Sequence, residues 1–85
     1  MMTYDQAIQN GYTEQVKAVH GVSVDYTGRQ VGDGTVEFSG SHKFTGADGF
    51  GYTMTAYYLQ DADDVTAAGD NLDELDWHPT RYEVT

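Results

Sequence analysis

The sequence predicts an α+β fold: a short N-terminal helix, an antiparallel sheet of three to four strands in meander order, and a short acidic helical arm before the last strand. Three observations predict it. Apolar and polar residues alternate over long stretches, turn-forming residues separate those stretches, and helix-capping residues stand near both ends of the chain. With 85 residues and 39% hydrophobic content, the chain is read as one acidic domain over 1–85. Its core is thin, because a chain of this size buries only about 60% of its unfolded surface.

The first helix is expected from Thr3 to Asn10. Thr3 can cap it, Tyr4, Ala7 and Ile8 fall on one face, and Gly11 suits the position just past the end. From Gln15 the period becomes two. Val16, Ala18, His20, Val22, Val24 and Tyr26 share one parity, which predicts a long half-buried strand bent at Gly21. Tyr26 to Gly34, with three glycines, reads as a loop. Val36, Phe38, His42 and Phe44 then alternate with Thr35, Glu37, Ser39, Ser41 and Lys43 to give a second strand. Gly46-Ala47-Asp48-Gly49 supplies a hairpin turn. In the third strand Tyr52, Met54, Ala56 and Tyr58 line one face, with Thr53, Thr55, Tyr57 and Leu59 on the other. Two short helices are expected near Asp63–Ala68 and Asn71–Trp77, the second opened by a capping box of Asn71 and Glu74. Pro79 ends that element, and Arg81–Thr85 forms a short terminal strand.

Charge is the compositional outlier. Fourteen acids against four bases leave a net charge of −10. Residues 44–85 hold nine of those acids and one base, Arg81. Asp61, Asp63, Asp64, Asp70, Asp73, Glu74 and Asp76 crowd into sixteen residues that contain no base at all. Such a surface repels nucleic acid and anionic lipid, and its natural partners are basic. Like charges at this density cost stability by self-repulsion. A thin core has little stability to lose, so a function that needs the charges explains their retention. Carboxylates on a rigid frame can occupy phosphate sites of a nucleic-acid-binding protein and pair with its Arg and Lys residues. These seven residues are therefore the candidate partner-binding site.

Other chemistries find less support. Asp61-Ala62-Asp63 opens like a calcium loop, but Val65, Thr66 and Leu72 stand where that loop needs a ligand, a glycine and a bidentate glutamate. There is no cysteine for a disulfide or thiolate zinc site. His20 and His42, read on the apolar parity of neighbouring strands, could meet across the sheet, yet nothing in their spacing requires a metal. Ser39 and Ser41 flank Gly40 within a strand rather than at a nucleophile elbow. Gly49-Phe50-Gly51 lacks the helix that a phosphate cradle needs. Tyr52, Tyr57 and Tyr58 lack the basic groove of a base-stacking platform, although Tyr57 and Leu59 could form a contact patch. Trp77 is either a lid over the core beside Leu72 and Leu75 or an interface anchor. No catalytic residue, cofactor or metal is expected. No apolar stretch approaches the length of a membrane span, and residues 1–10 lack the pattern of a signal peptide, so the chain reads as cytoplasmic.

In size, absence of cysteine, net charge and the Asp61–Asp76 run, the chain resembles in kind the small acidic proteins by which bacteriophages block host defence, anti-CRISPR proteins and other DNA mimics among them. The resemblance implies a non-enzymatic inhibitor that sits on the nucleic-acid-binding surface of a defence protein in the host cytoplasm. It carries over no individual residue. Two other readings stand beside it. One is a general interaction or structural phage module, and the other is a halophile domain whose acidity serves only solubility.

Overall fold

A computed structural model describes all 85 residues. Two short helices, α1 (Tyr4–Gln9) and α2 (Thr13–His20), precede three strands, β1 (Asp25–Gly32), β2 (Thr35–Thr45) and β3 (Gly51–Asp61). A third helix, α3 (Ala62–Ala68), a 3-10 turn (Leu72–Glu74) and β4 (Pro79–Val84) complete the chain. The four strands form one antiparallel sheet in the order β1-β2-β3-β4, the expected α+β meander.

Helix α1 starts as its sequence dictates. The Thr3 hydroxyl accepts from the Gln6 N–H at 3.2 Å, and the Gln6 side chain accepts from the Thr3 N–H at 2.9 Å. That capping box satisfies two backbone donors which a helix of six residues would otherwise leave open. Gly11 follows with φ +86°, a conformation that favours glycine. Only Ala7 of the anticipated face is fully buried.

The strand expected from Gln15 to Tyr26 is instead α2 up to His20. The deciding residues are Val16 and Val19, three positions apart and both buried against the sheet. Glu14, Gln15, Lys17 and Ala18 around them are good helix formers, and the apparent alternation of Val16 and Ala18 is a by-product of that helical face. His20 is consequently a helix residue, not the cross-strand neighbour of His42. The expected loop at Tyr26–Gly34 is largely β1, an edge strand exposed along almost all of its length.

Strands β2 and β3 pair without interruption from Thr35↔Asp61 to Thr45↔Gly51. This ladder sets the long axis of a body measuring 44 × 21 × 17 Å. Phe38, Met54, Ala56, Tyr58 and Tyr82 are buried on one face of the sheet. Helices α1 and α2 cover one half of that face, and Val65 and Trp77 pack against the same core. The Trp77 ring meets Phe38 edge-on at 5.1 Å and Tyr58 at 5.8 Å, with Tyr26 at 5.6 Å on its outer side. Its indole N–H donates to the Leu72 carbonyl at 3.0 Å. Trp77 is therefore a core lid.

The two sheet edges differ. Met2 pairs with Tyr82 through bonds of 2.9 and 2.7 Å and covers β4. Nothing pairs with the outer side of β1, which is broken by register shifts after Asp25 and after Gln30. Charges and irregularity of this kind blunt an edge against further strand pairing.

Candidate interaction surface

The acidic arm grows directly out of the sheet. Asp61 ends β3 and stands at the N-cap of α3, while Asp63 and Asp64 occupy the first turn, where the helix dipole favours negative charge. The Asp61 side chain makes no capping bond. Val65 points inward to the core, and Gly69, at φ +58°, terminates the helix. The expected second helix is shorter than Asn71–Trp77. Only Leu72–Glu74 forms a 3-10 turn, and Asn71 makes no side-chain cap, so the anticipated capping box is absent. Long-range bonds take over its structural role. Ala62 N–H donates to the Gly34 carbonyl at 2.8 Å, and the Gln60 amide donates to the Asp76 carbonyl at 2.6 Å. These bonds fix both ends of the arm to the sheet, and the indole bond to Leu72 closes its last turn on Trp77.

All seven arm carboxylates are exposed, and none forms an ion pair or a side-chain hydrogen bond. Nowhere in the chain do three His, Asp or Glu side chains gather in a cation-holding cluster. His42 lies in β2 opposite Met54, and His78 is exposed.

Two of the four bases are engaged on the opposite, helix-free face of the sheet. Glu37 receives Arg29 at 3.1 Å and Arg81 at 3.0 Å, and Arg81 also reaches Glu83 at 3.2 Å. The Arg81 guanidinium lies 3.8 Å from the centroid of the Tyr57 ring, whose hydroxyl donates to Glu83 at 3.0 Å. Tyr57 is thus held inside a charged network, and of the expected patch only Leu59 stands free. This network was not legible as a site, because its members lie up to 54 positions apart in sequence and meet only through strand register.

The β2–β3 hairpin holds a further carboxylate outside the arm. Asp48 accepts from the Phe50 N–H at 3.0 Å and from the Tyr52 hydroxyl. These bonds, the hydroxyl first, hold its carboxyl below the ordinary carboxylate range. The Tyr52 ring lies so close to Gly46 that a Cβ there would come within 2.5 Å of it. A turn-forming Asp two residues before a free N–H was a readable signal for this lock.

Fold and surface together define a small antiparallel α+β domain with an unpaired acidic arm at one end of its long ladder. No protein-family model, curated protein or solved structure matches the chain. No helix is long and apolar enough to cross a membrane.

Proposed function

We propose that this protein is a non-enzymatic acidic inhibitor that places the arm carboxylates in the phosphate sites of a nucleic-acid-binding protein, one belonging to a bacterial defence system of the CRISPR–Cas type. The observation that carries the reading is the state of the seven carboxylates. They are exposed and unpaired on an arm tied to the sheet at both ends, while Arg29 and Arg81 are engaged on the other face. A tethered array loses less conformational freedom on binding than a disordered acidic tail would, which favours affinity. Its partners would be Arg and Lys side chains, whose bonds to carboxylates are charge-assisted. Association would release counterions from the partner's basic groove, as DNA binding does.

The test is affinity capture from bacterial lysate, with captured proteins challenged by double-stranded DNA. The reading expects a basic nucleic-acid-binding protein that DNA displaces, and binding that weakens steeply between about 50 and about 200 mM salt. The combined variant Asp70→Lys, Asp73→Lys and Glu74→Lys should keep its fold and lose capture. Capture undiminished by that variant would reject the arm as the contact surface.

A further inference from the structure

We propose that the cleft between the α1–α2 turn and the β2–β3 hairpin receives the guanidinium of an arginine side chain presented by a partner protein. The cleft encloses about 480 Å³, and Tyr12, Phe44 and Tyr52 contribute its aromatic surface. Phe44 meets Tyr12 edge-on at 6.2 Å and stacks on Tyr52 at 5.9 Å, so the three rings form one continuous group. Asp48 is the only charged residue among those lining it. Each of its oxygens already accepts one bond, from Phe50 N–H and from Tyr52 Oη, and each keeps a lone pair for an incoming donor. Gln15 lines the same cleft.

These features select one chemistry. Aromatic faces attract a cation, and a fixed carboxylate neutralises it and accepts its N–H groups. A neutral aromatic ligand would leave Asp48 unanswered. A lysine ammonium would answer the charge, but it cannot lie flat on a ring while presenting N–H groups at its edge. A guanidinium does both, since it is planar, permanently charged and carries five donors. The net charge of −10 draws such a group toward the protein. The cleft lies at the hairpin end of the ladder, away from the arm, so the inference does not depend on the arm's role.

The experiment is a titration of the ¹⁵N-labelled protein with N-acetyl-arginine-N-methylamide, with the lysine analogue in parallel. Saturable shifts centred on Tyr12, Gln15, Phe44, Asp48 and Tyr52 are expected, with the lysine analogue about tenfold weaker or worse. Asp48→Asn keeps an acceptor for the Phe50 N–H and removes the charge. It should retain the hairpin's spectrum and weaken arginine binding about tenfold. Tyr52→Phe, which keeps the ring and loses the hydroxyl that positions Asp48, should fall between the two. Shifts that never saturate, equal binding of lysine, or full binding by Asp48→Asn would each overturn the proposal. In the arm variant Asp70→Lys, Asp73→Lys and Glu74→Lys, retained arginine binding supports the cleft. Loss there would assign the shifts to the arm and overturn it. Capture of a basic partner by the arm is measured separately, so the two readings fail independently.

Discussion

The Nε2 atom of His20 lies 2.5 Å from the hydroxyl oxygen of Tyr82, joining the last residue of α2 to the middle of β4 across 62 positions of sequence. Their rings stack at a centroid distance of 5.8 Å. Burial pushes the Tyr82 hydroxyl up to about 12, so it keeps its proton, and the tautomer of the neutral imidazole decides which atom of the contact donates. Burial also lowers His20 below its ordinary 6.5. The unfolded chain therefore takes up the imidazole proton more readily than the native one does. The contribution of this contact is complete above the unfolded value and is lost as pH falls through it toward the lower native value. Thermal melts should show a lower Tm at about pH 5 than at about pH 7.5, the range in which imidazoles titrate. His20→Gln should flatten that difference. An equal pH response in the two proteins would remove His20 as its cause.

Gly28 is a second point where the fold depends on one residue. Its φ is +59°, and a Cβ there would lie 2.8 Å from Phe38 Cε1 and 3.0 Å from Val36 Cγ1. Gly28→Ala combines left-handed strain with overpacking beneath Trp77, and should destabilise by about 2–4 kcal/mol in urea titrations. Gly32→Ala, with open space around it and no positive φ, should stay within about 1 kcal/mol of the parent.

The ion pairs of Glu37 should be unequal. Its side chain is 10% exposed, against 23% for Arg81 and 74% for Arg29. Arg29→Ala should cost about 0–1 kcal/mol, as exposed pairs do. Glu37→Gln weakens two charged contacts at once and should cost about 1–3 kcal/mol. Double-mutant cycles should give a larger coupling for Glu37 with Arg81 than for Glu37 with Arg29.

Self-repulsion in the arm has its own signature. Raising ionic strength from about 0.01 M to about 0.15 M shortens the screening length from about 30 to about 8 Å and should raise the Tm. Each reversal at Asp70, Asp73 and Glu74 removes one negative charge and adds one positive charge, so the triple variant should gain less from salt. Parallel melts of the two proteins check this. An identical salt response would locate the repulsion elsewhere.

Legibility in the sequence followed burial. Strands β2 and β3 could be read because Phe38, Met54, Ala56 and Tyr58 are buried while their neighbours are not, which imposes a period of two. Strand β1 could not, since an edge exposed on both sides has no reason to alternate. Helix α2 was obscured because Val16 and Ala18 mimic strand parity, although Val19, fully buried, belongs to the helical face alone. Pro79 opens β4 rather than ending the preceding element, a first-position role that requires no ladder donor. The arm's seven acids were visible as composition. That Trp77 closes the core, and that Asp48 is fixed outside the arm, depended on tertiary contacts.

The unbroken β2–β3 ladder has a mechanical consequence. Eleven paired residues at about 3.4 Å each make a strut of some 37 Å that resists bending in the plane of its hydrogen bonds. Features at its extremities are kept at a set interval, like the jaws of a caliper. A surface touching both would be chosen by the spacing of its cations as well as by their number. Shortening the ladder by one residue pair from each strand would change that gauge without altering a single contacting side chain.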